Sequence, residues 1–371
     1  MVKVLFLINT LRGGGAEKTL VDLVNNLPND RYDITVQTID NSGLYINQLN
    51  KCIRYKTINN KTGLIRKIFN RLLVFNLSAK WIYNRYIKSD YDIEIAFLEG
   101  LPTKIIGAST NEKAKKIAWV HTDLMNYFDS VSVYKNISEN KNCYQRFDKI
   151  ACVSDSVRKN FIARFGDMGS KVQTVYNLIL DNVIRIQATE PIEDFKHDLP
   201  IVVSCGRLCE QKGFDRLLRI HKKLLNENIL HYLWIIGDGD LRLQLETYIK
   251  DNDLTNTAIL MGFQANPYKY IKNANLFVCS SVAEGFSNVI TESTILGIPV
   301  ISTDVAGARE PKDYPRCYKV VENNEDSLYL AMKQILANNE ELEKAKLYTQ
   351  SIMNNFNKEV YLKNIIEFIG G

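Results

Sequence analysis

Two glutamates eight positions apart, Glu284 and Glu292, lie in the stretch 281–299, where residue type and spacing point to ligand chemistry. Residues 275–279 are an apolar run that reads as a buried strand, and from Ser287 the apolar Val289, Ile290 and Ile295 recur at helical spacing. The order is strand, loop, helix. Ser287 and Asn288 are good N-cap types, and Gly297 with Pro299 closes the helix before a strand at 299–302. The unpaired amides of such a helix start, with the positive end of its dipole, attract phosphate. Glu284 lies in the loop with Gly285 and Phe286, and Glu292 about a turn and a half into the helix, so the two carboxylates flank one ligand without sharing a site. That spacing suits a sugar nucleotide. Arg207 and Lys212 add two cations after the apolar run 200–205. Arg can pair bidentately with an anionic group, whereas Lys acts as a point charge. His121 ends the apolar run 117–120, at the carboxyl edge where open α/β sheets bind ligands. From the residues alone it reads equally well as a satisfied structural histidine.

These side chains need a sheet edge to hold them, and the chain supplies the pattern. Apolar runs of strand length at 4–8, 32–39, 92–98, 115–120, 149–153 and 171–176 alternate with helical segments, and the pattern restarts at 200–208, 230–236, 259–263 and 275–279. Such alternation predicts an α/β fold with doubly wound parallel sheets. A length of 371 residues predicts two domains, and 46% hydrophobic with 24% charged residues is ordinary for a globular chain. The polar, poorly periodic interval around Pro191 predicts the linker. No window approaches the ~18 apolar residues of a membrane span, so a soluble, cytoplasmic protein is expected. Seven scattered cysteines argue for a reducing compartment and no disulfide framework, and with four dispersed histidines no zinc set emerges.

The net charge of +5 is unevenly spread: residues 1–179 hold 26 Lys and Arg against 16 Asp and Glu, the remainder 21 against 26. From Asn41 to Ser89 there is no acidic residue at all, while ten Lys and Arg are interleaved with Leu64, Ile65, Ile68, Leu72, Phe75 and Trp81. A basic amphipathic helix of this kind suits an anionic membrane surface, and a solvated basic face explains the same pattern. A glycine loop, Gly13-Gly14-Gly15, follows the first strand and opens a helix; it is neither Gly-x-Gly-x-x-Gly nor a P-loop. Asp238 and Asp240, like Asp90 and Asp92, have metal-motif spacing, but the first pair sits in a glycine-rich turn before a helix. No metal is expected.

Glu284-Gly285-Phe286 with the second glutamate at 292 resembles the signature of family 4 retaining glycosyltransferases of the bacterial surface-polysaccharide type. Gly206-Arg207-Leu208, Lys212-Gly213, the Gly237-Asp238-Gly239 turn and Gly14-Gly15-Ala16-Glu17 are similar to other elements of that family. The resemblance implies the GT-B architecture of two Rossmann-like domains facing across a cleft. An acceptor-binding domain at 1–179 and a nucleotide-sugar-binding domain at 198–355 would be joined by a linker at 180–197, and 356–371 would form a helix packing back on the first domain. It implies His121, Glu284, Arg207 and Lys212 as catalytic residues. Gly14, Gly15, Arg207, Lys212, Phe263, Glu284, Gly285, Phe286, Ser287, Asn288 and Glu292 would bind the donor, with Phe263 by the base and Glu292 on the ribose. No cofactor is implied, since the nucleotide sugar, UDP-linked by family frequency, is a substrate. The acceptor is a glycan or lipid-linked oligosaccharide, with peripheral membrane contact through 61–88 and no nucleic acid. A GT-B-like epimerase and a non-catalytic nucleotide-sugar-binding or nucleic-acid-binding protein are the rival readings.

Overall fold

The computed structural model describes residues 1–87, 90–125, 133–192, 198–312 and 315–370, with Phe75 by its backbone alone. The chain divides into two units, Met1–Leu178 with Glu359–Gly371, and Ile179–Lys358.

The first unit is built on a seven-stranded sheet, wholly parallel, in the order β3-β2-β1-β4-β5-β6-β7. Its strands are β1 (Val2–Ile8), β2 (Tyr32–Asp40), β3 (Arg54–Asn59), β4 (Ile93–Ala96), β5 (Lys115–Val120), β6 (Lys149–Cys152) and β7 (Val172–Thr174). The helices are α1 (Gly15–Asn26), α2 (Gly63–Phe75), α3 (Ala79–Tyr86), α4 (Leu101–Ile106), α5 (Ile137–Tyr144) and α6 (Asp155–Phe165). Val4 to Ile8 are all buried, as expected of a central parallel strand covered on both faces. Strand order reverses between β1 and β4, which leaves a crevice beyond their carboxyl ends.

The second unit begins with α7 (Asp181–Gln187) and carries a six-stranded parallel sheet in the order β10-β9-β8-β11-β12-β13. Here β8 is Ile201–Cys205, β9 Tyr232–Ile236, β10 Ala258–Gly262, β11 Leu276–Cys279, β12 Val300–Thr303 and β13 Lys319–Val321. Its helices are α8 (Phe214–Asn226), α9 (Arg242–Asp251), α10 (Tyr268–Lys272), α11 (Asn288–Ile295), α12 (Glu325–Leu336) and α13 (Asn339–Ile352). Phe214, Leu217, Leu218 and Leu224 on one stripe of α8 pack with Val202, Leu233 and Leu276 of the sheet and Leu328 and Met332 of α12.

The last helix, α14 (Lys358–Gly370), belongs to the first unit. Phe368 meets Trp119 edge-on at 6.0 Å, and the ammonium groups of Lys149 and Lys115 donate to the carbonyls of Phe368 (2.8 Å) and Ile369 (3.1 Å). Two cations at a helix C-terminus also oppose its dipole.

Three sequence expectations need correction. Part of the interval 180–197 is not linker: α7 is helical, and its Gln187 carbonyl accepts from Asn266 at 2.8 Å. The acid-free interval contains the edge strand β3 before its helices, because Arg54 to Asn59 pairs in register with β2. On α2, Leu64, Ile65, Ile68 and Leu72 are exposed, but Arg66 turns inward to 3.6 Å from Asp40. Lys88, at the end of the basic interval, and the Phe75 side chain lie outside the described residues. No helix among the described residues is long and apolar enough to cross a membrane, and all seven cysteines are free thiols.

Candidate functional site

In the second unit strand order reverses between β8 and β11, and the loops leaving these two strands carry Arg207, Lys212 and Glu284. Their backbones are knitted together. Val282 N donates to the Gln211 carbonyl at 2.7 Å, and the Gln211 side chain donates to the Ala283 carbonyl at 2.9 Å. Gly213 has φ +61°, and a Cβ there would fall 2.3 Å from the Ser280 carbonyl, so close approach requires glycine. The Lys212 ammonium donates to Glu284 Oε1 at 2.6 Å, and the Ser281 hydroxyl donates to the same oxygen at 2.6 Å. Burial opposes the charge on Lys212, but Glu284 and the nearby thiols outweigh it and raise its pKa. Among the described residues, Glu284 is the carboxylate that pairs with this ammonium.

Two buried arginines hold the loop after β11 from behind. Arg216 donates to the carbonyls of Ser280 and Ser281 and to Asn323. Arg316, 1% exposed, donates to the carbonyls of Glu310 (2.6 Å), Phe286 (2.9 Å), Ser287 (3.2 Å) and Gly307 and to the Thr291 hydroxyl (2.5 Å). Five donated bonds match the five N–H groups of a guanidinium. Its charge also lies 3.9 Å from the centre of the Phe286 ring. With the loop carbonyls gathered on Arg316, the chain enters α11 through Ser287 in the left-handed conformation (φ 49°). Ser287 takes the N-cap position, but its hydroxyl makes no capping bond and is buried without a partner. Gly285 and Phe286 are buried in this loop, and Asn288 starts the helix half-buried.

Glu292 is half-buried on α11 and accepts from the Tyr268 hydroxyl at 3.4 Å. Burial pushes the Cys205 thiol up to about 12, with Glu292 adding to the shift and Lys212 opposing it, so both charges reach the end of β8. Arg207 is exposed beyond that strand. Phe263 is 47% exposed after β10, two strands from β8 and so roughly 10 Å away along the edge. Asp238 serves its turn: its carboxylate accepts from Gly239 N at 2.8 Å and lies 3.9 Å from Arg242. A Cβ on Gly237 (φ +139°) would meet the Gly206 carbonyl at 1.9 Å, which packs this turn onto the loop after β8. No group of three or more metal-type side chains gathers among the described residues.

His121, Gly14 and Gly15 belong to the first unit. His121 N and the Thr122 amide and hydroxyl donate to Glu99 Oε1 at 2.5, 2.7 and 3.0 Å. The imidazole is buried against Phe97, with ring centres 4.7 Å apart, and burial pulls its pKa down to about 3. It is therefore neutral, and its Nε2 has no hydrogen-bond partner among the described residues. In the glycine loop the amides of Gly13 and Gly14 both donate to the Glu17 carboxylate, which also accepts from Thr10, so the Gly14 N–H is committed inside the loop.

Sequence reasoning missed Arg316, Arg216, Ser281 and Tyr268. Arg316 follows Pro315 in a stretch without motif or periodicity, and no local pattern marks it. Arg216 lies on the apolar stripe of α8, where a charge among buried positions was the available signal.

Residues 186–351, a stretch that falls within the second unit, match the family described as glycosyl transferases group 1. An uncharacterized glycosyltransferase of Methanocaldococcus jannaschii is 33% identical over 217 residues, 57% of this chain and 53% of that protein. The N-acetylgalactosamine-N,N'-diacetylbacillosaminyl-diphospho-undecaprenol 4-alpha-N-acetylgalactosaminyltransferase of Campylobacter jejuni is 32% identical over 196 residues, 52% of each. The chain thus spans about half the length of these curated relatives. The crystal structure of Anabaena HepE with UDP and glucose superposes with a TM-score of 0.77, covering 99% of both chains at 18% identity. That likeness shows the GT-B fold expected from the sequence.

Proposed function

We propose that this protein is a retaining glycosyltransferase that moves a hexose or N-acetylhexosamine from a UDP-linked donor to a hydroxyl of a glycan or lipid-linked acceptor. The observation that carries the reading is the buried Lys212–Glu284 pair at the strand-order reversal of a unit matching group 1 glycosyltransferases. Lys212 and Arg207 meet the charge of the diphosphate, and their stabilisation grows as the sugar departs and negative charge collects on the leaving oxygen. Glu284 exchanges its lysine partner for the donor sugar, and Glu292 accepts from the ribose hydroxyls. His121, kept neutral by burial, offers an uncharged ring to the sugar. Departure and attack take place on one face, with the leaving diphosphate oxygen helping to take the acceptor proton. Cationic side chains fill the role of a metal, and no cofactor is required.

The acceptor reading draws on the lipid-linked substrate named for the Campylobacter relative and on α2. Leu64, Ile65, Ile68 and Leu72 form an exposed apolar strip beside exposed Lys61, Lys67 and Arg71, which suits an anionic lipid surface. Arg66, paired inward with Asp40, is not part of that contact.

A thermal-shift panel of UDP, GDP and ADP sugars, followed by transfer of the stabilising sugar to extracted lipid-linked acceptor, tests the proposal. A donor at a hundred times its Kd adds about 2.7 kcal/mol of stability. Glu284→Gln is expected to abolish transfer while remaining folded; near-normal turnover by that variant would overturn the assignment.

A further inference from the structure

The loop after β11 is held more tightly than a connection between strand and helix requires. The Ser280 carbonyl accepts from Arg216 at 2.7 Å, and the Ser281 carbonyl accepts from Arg216 and from the Thr303 hydroxyl, both at 2.6 Å. The Val282 carbonyl accepts from Asn323 at 2.8 Å, and that of Ala283 from Gln211 at 2.9 Å. Consecutive carbonyls from Ser280 to Ala283 are thus pinned by side chains from α8, the end of β12, the segment before α12 and the loop after β8. None of these bonds uses the Ser281 hydroxyl.

Ser281 is 2% exposed, and its neighbours set the direction of its single O–H proton. The Cys279 thiol donates to its oxygen at 3.6 Å, and an ionised carboxylate can only accept, so the hydroxyl proton goes to Glu284 Oε1 at 2.6 Å. That length is usual for a hydroxyl on a carboxylate. Lys212 donates to the same oxygen. Two donors therefore share Oε1, whereas Oε2 takes no hydrogen bond among the described residues and is not sealed from solvent. The carboxylate is anchored by one oxygen and open at the other.

The two anchors respond differently to a bound donor. A diphosphate attracts the Lys212 ammonium, a point charge on a flexible four-carbon stem. The Ser281 hydroxyl turns on one side-chain torsion from a pinned backbone, so it stays where it is. We propose that Ser281 is a positioning residue for transfer: once the diphosphate draws Lys212 away, its hydroxyl holds Glu284 Oε1 and keeps Oε2 turned to the sugar. The inference rests on the transfer reaction proposed above and adds to it a residue that acts through Glu284. Its contribution belongs to the donor complex, since in the free protein Lys212 shares the same oxygen.

The test uses the full chain with UDP-linked glucose, galactose, N-acetylglucosamine and N-acetylgalactosamine and extracted lipid-linked acceptor. Turnover is followed as release of UDP, and UDP affinity is measured by calorimetry on the same proteins. Ser281→Ala removes the hydroxyl without touching the bonds that pin the loop. It should lower kcat at least tenfold and leave UDP affinity within twofold of the wild type, because UDP carries no sugar to meet Oε2. Ser281→Thr keeps the hydroxyl and should hold kcat within threefold; if its added methyl prevents folding, Ser281→Cys, a weaker donor, should fall between the wild type and Ser281→Ala. A smaller loss in Ser281→Ala overturns the proposal. So does a loss of kcat with UDP affinity falling in step, or a Ser281→Thr or Ser281→Cys variant that folds and is no faster than Ser281→Ala, since a hydroxyl that merely supports the loop gives those results. Wild-type protein that turns over no nucleotide sugar removes the transferase reading and this role with it. Wild-type turnover that Ser281→Ala matches removes this role alone.

Discussion

Replacing Glu284 by glutamine should have opposite effects on stability and on nucleotide affinity. The Lys212 ammonium lies 2.6 Å from Glu284 Oε1, and their side chains are 19% and 9% exposed. At an effective dielectric constant of about 20 the attraction at that distance is about 6 kcal/mol before desolvation, and breaking one side of a buried pair costs about 3–5 kcal/mol. Glutamine keeps an oxygen for Ser281 and Lys212 but loses the charge, so a loss of about 2–4 kcal/mol in urea denaturation is expected. Lys212→Met should cost a similar amount. The double variant should cost less than the sum, since neither buried charge is then left alone. UDP affinity should move the other way in Glu284→Gln. A phosphate oxygen drawn to Lys212 would sit roughly 6 Å from the Glu284 carboxylate, a repulsion of about 1–3 kcal/mol, so its removal tightens UDP about 5- to 150-fold. Calorimetric titration of folded protein measures this directly. Weaker or unchanged UDP binding in Glu284→Gln, with unchanged binding in Lys212→Met, would place the diphosphate away from this pair.

Arg316→Lys offers three donors where five bonds are made, so it should lower UDP affinity at least tenfold in the folded protein and cost about 3–5 kcal/mol in denaturation; equal affinity would show that the loop keeps its shape unaided. Stability should fall below pH 6.5. Burial lowers His221 and His121 to about 3 and lowers His231 as well, so unfolding takes up protons, and each histidine loses up to about 1.4 kcal/mol per pH unit as pH falls from 6.5 toward its folded pKa; above 6.5 the contribution is complete. Urea midpoints that do not change between pH 7.5 and 5.5 would contradict this. Transfer should survive EDTA, and loss restored by manganese would assign the leaving-group charge to a cation. Wild-type protein should sediment with anionic vesicles at low salt and less as salt rises; Lys67→Glu with Arg71→Glu should release it while sparing a soluble acceptor, and continued sedimentation of that variant would leave α2 a solvated face.

The sheets were legible because buried parallel strands are apolar runs, and the second was the clearer, since 275–279 and 200–205 stand out against polar loops. Two edge strands, β3 and β13, were not. Arg54 to Asn59 has one aliphatic residue, Ile58, and no apolar run, so β3 was absorbed into the basic interval. Glu284, Lys212 and Arg207 were legible as a pattern, but their relation was not. That Lys212 is the partner of Glu284, that Glu17 occupies the Gly13 and Gly14 backbone amides, and that Arg66 faces Asp40 are contacts between groups 72, 3 or 4, and 26 positions apart. Periodicity carries no such information. Arg316 was invisible for the same reason: buried polar networks are set by tertiary neighbours.

The assignment of α14 to the first unit affects how the chain emerges during synthesis. The second unit is nested inside the first, because residues 179–358 interrupt a body that closes only with 359–370. At about 5–20 residues per second, roughly 10–40 s pass between release of Leu178 and release of that closing helix. For that interval, while the nested unit is itself being synthesised, Trp119 lacks Phe368, and the ammonium groups of Lys115 and Lys149 lack their carbonyls. The half synthesised first is thus the half completed last, and a ribosome-bound nascent chain stalled near residue 340 would expose an apolar seam on which a chaperone has time to act.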